Sequence, residues 1–131
     1  MQEKEKIIET AVNYKRSGRY NCAQAVLIAL KDDAGLSSEE LLSIGSGFCA
    51  GMGNKEATCG ALIGVGIVAG LYTKGKGTLM LNRQMVELFK EKSKATICKD
   101  LKEIINGRPL CPCDDCVRHA MEVYFEVVRK E

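Results

Sequence analysis

A chain of 131 residues with 46% apolar and 27% charged side chains has the size and balance of one globular domain over residues 1–131, with no room for a second. A formal charge of +2, 5% aromatic residues and no Trp leave neither an electrostatic footprint nor stacking platforms, which excludes nucleic acid as a partner. The opening Met1-Gln2-Glu3-Lys4-Glu5-Lys6 has no apolar signal core and no twin-arginine pair, so a cytoplasmic, reducing compartment is expected.

In chain order, Ile7, Ile8, Ala11, Val12 and Lys15 recur at helical spacing and predict an amphipathic helix over residues 3 to 17, stopped by Ser17-Gly18. Asn21 is a good N-cap for a second, mostly buried helix from Cys22 to Leu30, broken at Asp32-Asp33-Ala34-Gly35. Ser37 with Glu40 forms a capping box for a short third helix closed by Gly45 and Gly47, and a glycine-rich loop follows over 48–54. From Ala57 to Tyr72 no residue is charged and apolar side chains recur on every side, which predicts a central helix surrounded by protein. It falls just short of a bilayer span, and Lys55, Glu56 and Lys74 bound it closely, so no membrane span is expected.

Within that helix Gly60, Gly64, Gly66 and Gly70 each cost about 1 kcal/mol relative to Ala, together roughly 4, so something must compensate. Close approach of another backbone, or of a bound cluster, to the glycine-lined face is the physical candidate, which marks Gly60 and Gly64 as cofactor-facing positions. Thr73-Lys74-Gly75-Lys76-Gly77-Thr78 lacks the Ser or Thr and the preceding strand of a phosphate loop and reads as a linker. Leu81, Met85, Leu88 and Phe89 mark an amphipathic helix over 79–94, and a short helix over 97–105 stops at Asn106-Gly107. Asp114 or Asp115 caps the last helix, whose apolar stripe is Val117, Ala120, Met121, Tyr124, Phe125 and Val128. No period-2 run appears, so the fold class is all-α, a compact bundle of about six or seven helices.

Seven cysteines, at 22, 49, 59, 98, 111, 113 and 116, are too many for a reducing compartment to use as disulfide staples. Their odd number moves weight toward metal ligation or reactive thiols. Cys59, Cys98 and Cys116 fall at predicted helix starts and Cys22 follows a cap, positions where free N–H groups favour a thiolate. Four thiols meeting at one end of a bundle would form a soft-ligand site or a redox relay. Cys111-Pro112-Cys113-Asp114-Asp115-Cys116 nests a CxC beside a CxxC, but without a second CxxC it is a weak zinc signal, and a proline-bounded loop with incidental thiols is the plain alternative. His119, one turn after Cys116, is placed to share a metal with it, although a lone helical histidine is more often solvated or packed.

Asn21-Cys22-Ala23-Gln24, then Cys59-Gly60-Ala61-Leu62-Ile63-Gly64, then Cys98 and Cys116, together resemble the C_GCAxxG_C_C family of bacteria and archaea, and the match spans nearly the whole chain. The resemblance implies a helical fold and thiol redox or iron-sulfur chemistry. It puts the family's cysteines on Cys22, Cys59, Cys98 and Cys116, with Cys49, Cys111 and Cys113 as extras. Genes of this family often lie beside transporter or oxidoreductase genes, which implies a redox protein partner or such a system. Three expectations follow. The first is a metal or iron-sulfur centre on Cys22, Cys59, Cys98 and Cys116, with Cys113 or Cys111 as substitutes. The second is a metal-free thiol-disulfide oxidoreductase or redox sensor in which Cys59 attacks. The third is a non-catalytic helical binding module whose cysteines only fill the core.

Overall fold

In the computed structural model residues 2–129 are described, and helices account for most of them. Helix α1 runs Gln2–Arg16, with Glu3 and Glu5 in its first turn and Lys15 and Arg16 in its last, charges that complement its dipole. Its buried Ile8, Ala11 and Val12 pack on α8, Cys113–Val127, whose Val117, Ala120, Met121, Tyr124 and Phe125 are all buried. Glu9 and Arg118 join the two helices at 2.7 Å.

Helix α2, Cys22–Ala29, starts from a full capping box: Asn21 accepts from the Gln24 backbone while the Gln24 side chain accepts from that of Asn21. The same two side chains donate to the carbonyls of Gly45 (3.2 Å) and Leu42 (2.9 Å), which fixes Cys22 against α4, Ser38–Gly45. Leu30 separates α2 from a single further turn, α3, Lys31–Ala34, closed by Gly35 in the left-handed region. The capping box of Ser37 and Glu40 opens α4 as expected.

The uncharged stretch forms α5, Gly60–Thr73, packed against α2, α3, α6 and α8. Its glycines split into two kinds. A Cβ on Gly64 would stand 2.3 Å from Val26 Cγ2 and 3.2 Å from the Ala23 carbonyl, so α2 occupies that face. A Cβ on Gly70 would meet only Thr78 Cγ2, at 3.8 Å. Helix α6, Thr78–Ser93, buries Met85 and Phe89. Among the described residues no helix is long and apolar enough to cross a membrane.

Two expectations are corrected. The helix expected over 97–105 is one turn, α7, Cys98–Leu101, and Ile104 and Ile105 instead pair as β1 (Ile104–Ile105) with β2 (Arg108–Pro109). Asn106 and Gly107 both have positive φ, 55° and 83°, the backbone a two-residue hairpin turn requires, and Asn-Gly is its usual signature. Neither Asp114 nor Asp115 caps α8. Pro112 stands at the N-cap with no side-chain hydrogen bond, both aspartates lie in the first turn, and Asp114 accepts from Arg16 at 3.0 Å.

At the other end of α8, Tyr124 donates its hydroxyl to Asp33 at 2.7 Å and Arg129 donates to the same carboxylate at 3.0 Å, with the Asp33 side chain only 10% exposed. Asp33→Ala removes the acceptor of a buried hydroxyl and one partner of the guanidinium. It is expected to cost about 2 to 3 kcal/mol, a melting temperature lower by roughly 5 to 12 °C in a thermal melt, while leaving the thiols unaffected.

Candidate functional site

Four backbone devices bring distant cysteines together. The first is an antiparallel bridge between Thr58 and Ile97, in which the Cys59 N–H donates to the Thr96 carbonyl (2.8 Å) and the Cys98 N–H to the Ala57 carbonyl (2.9 Å). It sets the N-cap of α5 beside the first residue of α7. The second is the Cys111 N–H, which donates to the Leu101 carbonyl at 2.9 Å and draws the start of α8 onto α7. The third is Gly60, where a Cβ would lie 2.8 Å from Cys22 Sγ and 2.6 Å from the Phe48 carbonyl, so glycine lets α2 and the following loop close in. The fourth is the turn Gly51–Lys55: at Gly51 a Cβ would approach Cys98 Cβ to 2.8 Å, and Ala50 and Met52 on either side hold positive φ.

The result is a cavity of about 60 Å³ whose wall includes Cys22, Cys49, Cys59, Cys98, Cys111, Cys113 and Cys116, with Gly60, Lys15 and Lys102 beside them. Five of these thiols are buried, Cys49 and Cys113 are partly exposed, and all seven are free. A larger open groove of about 580 Å³ between α5 and α6, lined by Leu62, Ile63, Met85 and Val86, contains no cysteine.

The sulfurs are not equivalent. Cys116 donates its S–H to Cys111 Sγ, the two sulfurs 3.1 Å apart. The Cys111 thiol is pulled down to about 5, first by that hydrogen bond and, against the cost of burial, also by His119 and Ser93. His119 Nδ1 lies 2.7 Å from Ser93 Oγ and 3.9 Å from Cys111 Sγ. Cys116 keeps its own proton, its thiol being pushed far up by its bonds to Cys111 and Cys59 and by burial. Cys59 is lowered to about 7, chiefly by Cys116 and also by the Leu62 and Ala61 backbone N–H groups of the α5 start. One S–H points at one acceptor at a time, so Cys59 and Cys111 compete for a single proton and titrate as a pair.

Backbone N–H groups at a helix start therefore help to lower the Cys59 thiol, while Cys22, Cys98 and Cys116 are all raised. Burial pushes Cys22 up to about 12 and raises Cys98, whose four-residue helix has little dipole to offset it. Cys113 Sγ accepts from Lys102 Nζ at 2.6 Å. Burial alone would lower the Lys102 amine, but that bond and the charges of Cys113, Cys98 and Cys22 outweigh it and raise its affinity for the proton.

All four cysteines on which the resemblance puts the pattern, Cys22, Cys59, Cys98 and Cys116, lie on this wall, and Gly60 does too, whereas Gly64 faces α2. What the spacing did not show is the place of Cys111: the CxxC pair 113/116 is not the close one, because Cys113 turns to Lys102 and Cys111 meets Cys116. The available signal was Pro112, which starts α8 and puts Cys111 just before it and Cys116 one turn in. A second signal was Lys15, a cation on the otherwise apolar stripe of α1. The donor chemistry of this wall suits a soft metal. Its disposition does not: among the described residues no group of three or more His, Cys, Asp or Glu is placed to hold a metal ion.

A family model described as "Putative redox-active protein (C_GCAxxG_C_C)" matches residues 20–127. No curated protein matches the chain. No solved structure matches it.

Proposed function

The chain belongs to the C_GCAxxG_C_C family, and we propose that it is a thiol redox protein whose working couple is Cys111 and Cys116, with Cys59 as the third sulfur sharing their proton. The observation that carries this reading is the Cys116 S–H aimed at Cys111 Sγ across 3.1 Å, about 1 Å beyond a disulfide bond length. In this couple Cys111 supplies the thiolate, and Cys116, protonated and in contact, is the resolving thiol. A two-electron oxidant, a hydroperoxide or a disulfide, first bonds to the Cys111 sulfur. Cys116 then attacks that sulfur, the S–S bond forms as the bond to the oxidant-derived group breaks, and that group leaves with the bonding pair and the Cys116 proton. A dithiol partner is the chemical class that returns the electrons: partly exposed Cys113 exchanges into the buried disulfide, releasing one of its sulfurs as a thiolate, and the partner's two thiols then reduce the disulfide that Cys113 carries, the partner leaving as a disulfide. The reducing compartment expected of the chain keeps the resting couple as thiols.

Seven sulfurs around one cavity also favour, on donor chemistry alone, a soft-metal or iron-sulfur centre on Cys22, Cys59, Cys98 and Cys116 with Cys113 beside them. One experiment separates the two readings. Protein purified without oxygen is analysed for iron and zinc, then taken through a graded thiol-disulfide redox buffer, with the bonded cysteines mapped by mass spectrometry. The expected result is a reversible Cys111–Cys116 disulfide in metal-free protein. Stoichiometric metal lost on Cys59→Ser would establish the centre instead, and seven thiols that neither pair nor bind metal would leave only a structural role.

A further inference from the structure

We propose that the oxidant of this couple is a small hydroperoxide, hydrogen peroxide itself being the best fit, selected by the size of the sulfur-lined cavity. The inference rests on the Cys111–Cys116 reading above and adds the substrate class.

Room decides it. Cys111 and Cys116 are each 4% exposed, so an oxidant reaches them through the cavity and not at the surface. That cavity holds about 60 Å³, space for roughly four to six waters at 10 to 15 Å³ each. A two-oxygen molecule fits. An aryl hydroperoxide or a peptide disulfide brings many more heavy atoms and would have to part α7 from α8. Those helices are tied by the Cys111 N–H to the Leu101 carbonyl at 2.9 Å, with Leu101 itself 2% exposed on the cavity wall.

The chemistry closes with groups already in place. The Cys111 thiolate attacks one peroxide oxygen, the O–O bond breaks, and a sulfenic acid forms on Cys111 as hydroxide departs and is protonated to water. Lys15 and Lys102 on the same wall are the cations available to that developing hydroxide. Cys116, already pointing at Cys111 Sγ, then attacks the same sulfur. The S–S bond forms, the S–O bond breaks, and the Cys116 proton leaves with that oxygen as a second water. The peroxide gains two electrons and the two sulfurs lose them. Apart from one solvent proton taken up by the departing hydroxide, which matches the proton Cys111 gave up on ionising, nothing further is consumed.

The test takes the full-length reduced protein and compares hydrogen peroxide, cumene hydroperoxide and oxidised glutathione at equal concentration, following formation of the Cys111–Cys116 disulfide by quenched mass spectrometry. Hydrogen peroxide is expected to close the disulfide at least tenfold faster than either bulky oxidant. Cys116→Ala should stop the reaction at a Cys111 sulfenic acid that a dione probe captures. Leu101→Ala, which widens the wall, should shrink the preference over cumene hydroperoxide severalfold. A bulky oxidant that matches hydrogen peroxide overturns the size argument and leaves the couple standing. Folded protein in which no oxidant joins Cys111 to Cys116 overturns the couple as well.

Discussion

In a pH titration followed by thiolate absorbance near 240 nm, the reduced protein should show one equivalent of thiolate appearing with a midpoint about 5, roughly four units below an ordinary cysteine. Cys111→Ser should abolish that step. Cys116→Ala should move it upward by more than one unit, at least tenfold in the ionisation constant, because the S–H that stabilises the thiolate is gone and the burial cost remains. His119→Gln should move it upward by less, since His119 stands 3.9 Å away and ranks behind Cys116 among the causes. Absorbance is the decisive readout. Alkylation rates would understate the effect, because a thiolate of low pKa is also a weaker nucleophile. A first thiolate appearing only above pH 8 in the wild type would show that the Cys116 proton does not reach Cys111.

Linkage gives the same sulfurs a role in stability. A group whose pKa falls on folding contributes stability that is complete above its unfolded value and lost as pH falls through its folded value. For Cys111 that loss runs from about 9 down to about 5. Cys22 works in the opposite sense: its pKa rises on folding to about 12, so its contribution is complete below about 9 and lost as pH rises toward 12. Chemical denaturation of the reduced protein should therefore show these thiols' combined contribution rising to a maximum near pH 9 and falling above it, with the alkaline fall flattened in Cys22→Ala.

How much of this was legible beforehand depended on the range of the interaction. Short-range signals read well. The capping boxes at Asn21 and Ser37 and the apolar stripe of the last helix are each decided within a few residues, and each forms where expected, whereas the helix expected from Ala57 starts only at Gly60, because Thr58 is drawn into a bridge with Ile97. Asn106-Gly107, expected as a helix stop, is a hairpin turn in the structure, and the two outcomes differ only in what the flanking Ile104 and Ile105 do. The cysteines could be placed at helix starts without knowing which sulfur meets which. That is settled by long-range backbone bonds, Cys59 to Thr96, Cys98 to Ala57 and Cys111 to Leu101, between segments whose separation in sequence carries no periodic trace. The ranking of the thiols is less legible still, since burial reverses the helix-start effect at Cys22 and a neighbouring S–H creates the low value at Cys111.

The glycines of α5 give the sharpest structural test, because the same substitution should change sign along one helix. Alanine in a helix interior is favoured over glycine by about 0.5 to 1 kcal/mol wherever the methyl finds room. At Gly70 it does, with Thr78 Cγ2 at an ordinary contact distance of 3.8 Å, so Gly70→Ala should raise the melting temperature by roughly 2 to 5 °C. At Gly64 the methyl would overlap Val26 Cγ2 at 2.3 Å and press the Ala23 carbonyl at 3.2 Å. The valine can turn but the backbone of α2 cannot, and overpacking should cost about 1 to 3 kcal/mol net. Gly60 is the most constrained of the three, since a Cβ there would lie 2.6 Å from the Phe48 carbonyl oxygen as well as 2.8 Å from Cys22 Sγ. Gly60→Ala should cost about 3 kcal/mol or more, lowering the melting temperature by roughly 10 °C or more. It should also displace Cys22 from the wall of the cavity. A stabilised Gly60→Ala protein would mean that α2 and the loop at Phe48 do not close on α5 as tightly as the sulfur cavity requires.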